Sequence, residues 1–477
     1  MNQPSNGSRA WVVAAVGLGS LIGAIDGSVA NTVLPVIAVD FKAGIQVIEW
    51  VLLAYLLVLS SALLTVGKWG DLAGHRRMFL AGFVVFGVAS MVCGAAPNEL
   101  VLIIFRGLQG GGAAMLSASG IVMVTRVFGR RERGKGIGLI VGIIYFGLAV
   151  GPAVGGFLAA AMSWRAVFYI NLPIAVVGLL LGARVLPRDA PAERQPRFDL
   201  VGAALSAVAL AALLVGLSQG EMWGWTSLLT VAMFAVAVAG SAAFVVVEVR
   251  HPQPVLDLRL FRNRLFGAAV GSATIFYAGA FFSYLQLPFY LLQARHFSLS
   301  QAGLLLVVSP SVMMILAPLA GRLSDRIGSR VLSTAGLLLS AAGSVLLALL
   351  GPASGIHDIV LAGIVMGAGN GMFSTPNTST IMGAVPPAHH GTASGTQAVA
   401  RNVGMVVGIA LAGTIYSARL AALGGPSAFY TAYRDTLFVA AALLLSGSVL
   451  SAVRGAGQPD STTQELDRTL PEGAPVR

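Results

Sequence analysis

Long apolar runs alternate with short polar gaps along nearly the whole chain. Fourteen runs reach the roughly 20 residues that a helix needs to cross a bilayer. They fall at 10–36, 46–66, 78–96, 100–125, 136–161, 166–186, 198–217, 227–247, 265–292, 301–320, 331–350, 357–378, 394–417 and 435–453. This pattern predicts an all-α polytopic membrane protein. One polar gap is repeated: Gly67, Asp71, Gly74 and Arg76 return at the same spacing as Gly321, Asp325, Gly328 and Arg330. A repeated loop signature divides the chain into two similar halves. In membrane proteins such halves place a transport site between them. The expected divisions are an N-terminal segment 1–9, a six-helix half 10–187, an inserted two-helix region 188–264, a second six-helix half 265–453 and a disordered tail 454–477.

Composition narrows the class. Of 477 residues, 56% are hydrophobic and 10% charged, with mean hydropathy +0.83. A soluble domain carries about 25% charged residues. The net charge of +11 does not indicate a nucleic-acid partner, because the basic residues lie in the gaps rather than on one face. Alternate gaps carry most of them, as in Arg130, Arg131, Arg133 and Lys135 or Arg259, Arg262 and Arg264; the remaining gaps hold little beyond Lys42, Arg165, Arg295, Arg419 and Arg434. That bias predicts a cell-membrane protein with both termini in the cytoplasm. The single cysteine, Cys93, excludes an internal disulfide. The run from Gly129 to Gly136 nearly matches a phosphate loop but lacks the Ser/Thr and the preceding strand, so no nucleotide is expected. The six histidines lie in gaps or at span ends, so no metal site is expected.

Two charges interrupt the apolar runs in the first half. Asp26 stands in the middle of the first run, where a carboxylate costs about 2.5–3.5 kcal/mol on insertion scales and must face protein or water. A titratable group in that setting is a candidate proton carrier; the alternative is a hydrogen bond that tightens helix packing. Arg106 opens Arg106-Gly107-Leu108-Gln109-Gly110-Gly111-Gly112 in the fourth run. It keeps its charge and so offers a fixed partner to a group that titrates, or else caps carbonyls of a neighbouring helix. In the fifth run Gly147, Gly151, Pro152, Gly155 and Gly156 combine close helix packing with a possible bend. Tyr277, Phe281 and Tyr284 share one helix face. With Asn31, Asn370, Asn377, Gln397 and Arg401 they are the candidates for substrate contact, against lipid-facing or structural roles.

The repeated hairpin, the run Asp26-x-x-x-x-Asn31-x-x-Leu34-Pro35, the Arg106 run, Gly151-Pro152-Ala153-Val154-Gly155-Gly156 and the stretch from Trp164 to Pro173 resemble the major facilitator superfamily. Fourteen spans with a central inserted pair resemble its drug:proton antiporter branch, the EmrB/QacA type. The resemblance implies two six-helix halves plus two inserted helices. It also implies proton-coupled efflux of lipophilic, cationic or amphipathic drugs or antibiotics by alternating access. Asp26 and Arg106 would carry the coupling, and Gly147, Gly151, Pro152, Gly155 and Gly156 the antiporter motif. Gly67, Asp71, Gly74, Arg76 and Arg77, with Gly321, Asp325, Gly328 and Arg330, would latch one conformer. Alternatives are a solute importer of the same fold and a non-transporting membrane sensor. No enzyme activity is expected. The expected partners are a small-molecule drug, protons and lipid, the only driver being the proton gradient, and the protein is expected to act as a monomer.

Overall fold

A computed structural model describes residues 6–187, 189, 200–250, 258–385, 390–423 and 428–453. Among these residues every regular element is a helix. The first half comprises α1 (Asn6–Asp40), α2 (Ile45–Ile48), α3 (Trp50–Ala73), α4 (His75–Gly94), α5 (Glu99–Ala161), α6 (Ala166–Tyr169) and α7 (Asn171–Val185). The inserted pair is α8 (Leu200–Trp223) and α9 (Leu228–Arg250). The second half comprises α10 (Arg264–Phe289), α11 (Leu299–Leu306), α12 (Val308–Ile327), α13 (Ser329–Ala348), α14 (Ile356–Gly383), α15 (His390–Leu423) and α16 (Ala428–Val453). Among the described residues 13 helical segments are long and apolar enough to cross a membrane, and α8 adds a shorter apolar segment, Ala204–Leu217.

The fourth and fifth spans were expected to be separated by a basic gap. Instead α5 is helical through all of its 63 residues. A straight helix of that length would extend about 95 Å at 1.5 Å per residue, roughly three bilayer cores. Packing on α1 shows that it reverses. Gly19 meets Leu116 and Gly120 meets Val16, an antiparallel run; Gly17 meets Ile143, Gly147 meets Ala24 and Gly155 meets Val29, a parallel one. The chain therefore turns back between Gly120 and Gly142 while staying helical.

Backbone geometry repeats with the sequence. Gly74 ends α3 at φ +100° and Gly328 ends α12 at φ +89°, both in the region that side chains avoid. Among the described residues, Lys42 after α1 and His296 after α10 are the positive-φ residues other than glycine, at +53° and +52°. The interval between Lys42 and His296 equals that between Gly74 and Gly328, so the internal repeat is structural as well as sequential.

The cores explain how the halves meet. At the end where α1 and α10 finish, one apolar cluster joins Val33, Leu34 and Ile37 of α1 to Phe282, Leu285 and Phe289 of α10 and Ile409 of α15. Towards the other end the cores are separate. Val16, Phe79, Phe83 and Met123 pack within the first half, and Phe266, Ile381 and Ala393 within the second. The halves are thus sealed at one end, called here the closed end. The inserted pair rides on their seam: α8 packs on both α3 and α15, and the Thr414 hydroxyl donates to the Leu217 carbonyl at 2.8 Å. α9 packs on α8 and leaves Leu228 and Val238 largely exposed.

A buried ion pair at the convergence of the first half

Asp26 and Arg106 meet inside the first half. Arg106 Nη1 donates to Asp26 Oδ2 at 2.5 Å and to Gln109 Oε1 at 2.7 Å. Gln109 Nε2 donates to Asp26 Oδ1 at 2.8 Å and to the Ser90 hydroxyl at 2.6 Å. Asn171 Nδ2 donates to the same Asp26 Oδ1 at 2.7 Å. Arg106 Nε donates to the Val51 carbonyl at 3.0 Å, and its Cζ lies 4.4 Å from the centre of the Tyr55 ring. Asp26 is 2% exposed and Arg106 0%. Five helices, α1, α3, α4, α5 and α7, each supply a member. The glycines beside Arg106 have a concrete task. A methyl group on Gly110 would strike the Tyr55 backbone, and one on Gly112 would sit 2.7 Å from the Phe86 nitrogen. Close approach of three backbones is what brings the guanidinium to the carboxylate.

An ionised carboxylate here has one arginine and two amide donors, so its burial is compensated rather than solitary. Gln109 and Asn171 are visible in the sequence only as members of the runs around Arg106 and Trp164. Ser90 and Tyr55 carry no sequence signal; only folding brings them to the pair.

The ion pair adjoins the second half. One residue beyond Asp26, the Gly27 carbonyl accepts from the Tyr284 hydroxyl at 2.8 Å. Asn31 Nδ2 donates to the Tyr284 carbonyl at 2.7 Å. Asn31 and Tyr284, both candidates for substrate contact, thus hold each other across the seam. The Phe281 ring lies 4.7 Å from that of Tyr284. The fifth-span glycines face two ways. Gly147, Gly151 and Gly155 lie on α1, while Gly156 and the Pro152 carbonyl lie against Leu299 and Gly303 of α11. This motif is the seam at the closed end. Glu49, which precedes α3, is fully buried there, its carboxylate over Gly413 of α15. Glu49 is thus a second buried acid, at the start of its span rather than in the middle as Asp26 is.

The remaining candidates separate. Asn377 donates to the Ala269 carbonyl at 3.0 Å and Asn370 accepts from Ser340 at 3.1 Å, both within the second half. Gln397 Nε2 donates to the Thr378 hydroxyl at 2.5 Å. Arg401 is exposed. In the first hairpin, Arg76 Nη2 donates to the Ala183 carbonyl at 2.5 Å, and the backbone amides of Arg76 and Arg77 donate to Asp189 at 3.0 and 3.3 Å. Those contacts tie α4 to the end of α7 within one half rather than across the seam. The side chains of Asp71 and Asp325 lie outside the described residues, as does the tail 454–477.

Known proteins share this framework. The chain is 32% identical to the riboflavin transporter RibZ of Clostridioides difficile, over 92% of this chain and 96% of that one. It is 34% identical to the multidrug resistance protein Stp of Mycobacterium tuberculosis, over 87% of this chain and 78% of that one. In fold it is similar to a bacterial homolog of the human lysosomal transporter Spinster, solved inward-facing and unoccupied, with TM-score 0.70 at 16% identity over 94% of this chain and 98% of that one. The Major Facilitator Superfamily profile matches residues 16–409, and the chain belongs to that family of membrane transporters.

Proposed function

We propose that the protein is a proton-coupled exporter of lipophilic or amphipathic drugs or antibiotics, of the fourteen-span antiporter branch, working in the cell membrane with both termini in the cytoplasm. The observation that carries this reading is the buried Asp26–Arg106 pair, one residue from a hydrogen bond that joins the two halves. A proton arriving at Asp26 removes the negative charge that Arg106 faces. Arg106 cannot lose its own charge, so its attachments to Gln109, Val51 and Tyr55 must readjust. α1 carries Asp26, Gly27 and Asn31 together, so that readjustment acts on the Tyr284 contacts at the seam. Protonation then biases two conformers instead of pushing substrate directly. Each proton moved inward supplies about 2.3 kcal/mol per 100 mV.

Support for export of drugs comes from the similarity to the multidrug resistance protein and from the glycine–proline seam of the fifth span. The shared core at the closed end fits a conformer that opens to the cytoplasm, where an exporter loads. Similarity to a riboflavin transporter supports a second reading, carriage of a polar vitamin-sized ring compound. Inside-out vesicles energised by respiration distinguish direction and coupling. Uptake of a fluorescent drug that collapses with the pH gradient is the expected result; accumulation only in right-side-out vesicles would mark an importer.

A further inference from the structure

Arg401 lies within the span Gly395–Leu423 yet is exposed. It has no hydrogen bond or ion pair among the described residues. A guanidinium at such a position belongs in water or against a ligand rather than in hydrocarbon. Two neighbours fix the direction in which its face of α15 looks. Gln397, one turn earlier on that face, bonds Thr378 of α14. Gly404, three residues on, packs against the Thr274 carbonyl and the Tyr277 Cβ of α10. α10 is the helix that meets the first half, through Tyr284 and Gly27, and α15 itself packs on α3, so the face of α15 that carries Arg401 borders the junction of the halves. Tyr277 is seven residues before Tyr284 on α10, about 10 Å further from the closed end. Asp26 offers this space no negative charge, being 2% exposed and committed to Arg106.

We propose that Arg401 is the charge-selecting residue of the substrate site, and that the molecule received there is an amphipathic aromatic bearing an anionic group. The expectation of a cationic substrate is thereby reversed. A cation would meet an uncompensated guanidinium; a carboxylate, sulfonate or acidic phenol would pair with it in the two-pronged geometry that arginine favours. Its rings would lie against Tyr277. The proposal deepens the export reading and rests on it for the direction of transport, but binding selectivity is testable without any gradient.

The test is equilibrium binding by the full-length protein in detergent, using carboxyfluorescein as the anionic probe and rhodamine 6G as the cationic one. Wild type should prefer the anion at least tenfold. Arg401→Gln should lose that preference and Arg401→Lys should keep most of it, with circular dichroism and melting unchanged. Preference for the cation, binding of neither probe, or an anion preference that survives Arg401→Gln would overturn the proposal; the last is what an arginine reaching the lipid surface would give. Energised vesicles then separate the two readings. Wild type that binds the anion selectively but fails to accumulate it against a pH gradient would refute proton-coupled export and leave the charge selection standing.

Discussion

Asn31 and Tyr284 grip each other's helices from opposite halves: the Asn31 amide donates to the Tyr284 backbone at 2.7 Å, and the Tyr284 hydroxyl returns to Gly27 at 2.8 Å. Both bonds lie within a turn and a half of Asp26. A contact made in one conformer and absent from the other sets their populations by its own free energy, about 0.5–1.5 kcal/mol for a neutral hydrogen bond. Tyr284→Phe removes one bond and keeps the ring packing on Phe281. It should move the equilibrium two- to tenfold towards the conformer open at the closed end, with little loss of stability. Double electron–electron resonance between spin labels on α2 and α11 reads that shift; an unchanged distance distribution would mean that the bond persists in both conformers and biases neither.

The glycine seam makes a sharper demand. A methyl group on Gly156 would come 3.2 Å from the Gly303 Cα and nearer still to the Leu299 carbonyl. Backbone cannot retreat as a long side chain can. Gly156→Val should therefore hold the halves apart at this end, abolishing transport while leaving membrane insertion intact. In a Cys93→Ala, Leu299→Cys background, labelling from outside by an impermeant thiol reagent should rise several-fold over the Gly156 parent.

The two repeated hairpin glycines should differ. Both hold positive φ, which costs a side chain about 1–3 kcal/mol. Around Gly328 no atom lies within 4 Å of an added methyl, whereas at Gly74 it would displace the Asp189 carboxylate. That carboxylate caps the first amides of α4, a further contribution of about 1 kcal/mol. Gly74→Ala should lower the melting temperature in detergent more than Gly328→Ala, and adding Asp189→Ala to Gly74→Ala should change it little further.

The contrast between these glycines also marks what sequence conveys. Apolar runs long enough to cross a bilayer, and a loop signature repeated at one interval, are local properties, and the helices and the pseudo-repeat follow from them. Asp26 and Arg106 were legible because charge inside an apolar run is costly enough to need a reason. Their partnership was not legible, because it depends on five helices meeting through glycine contacts far apart in sequence. The same holds for Asn31, whose polar side chain suggested substrate but spans the seam. Glu49 sits at a helix start, where acids are ordinary, and only the packing of α15 over it makes it buried. The helical course of α5 through a basic gap was likewise hidden, since charged residues mark a surface without forbidding helix.

The Asp26–Arg106 pair yields the most discriminating experiment. Asp26→Asn keeps size and polarity but leaves Arg106 charged in a site that is 0% exposed. Breaking a buried pair from one side costs about 3–5 kcal/mol, because the remaining charge is uncompensated. Loss of transport in that single variant would be ambiguous between lost proton exchange and a disturbed fold. Arg106→Gln alone leaves the carboxylate with Gln109 and Asn171 and should be less destabilising, since two amide donors persist and a proton can neutralise the acid. The double variant Asp26→Asn, Arg106→Gln removes both charges and should regain most of the melting temperature lost in Asp26→Asn. Transport tells the rest. If Asp26 carries the proton, the double variant stays unable to accumulate drug against a gradient, although it can still equilibrate drug across the membrane. Recovery of uphill, proton-coupled transport together with stability would show that the pair is structural and that coupling resides elsewhere.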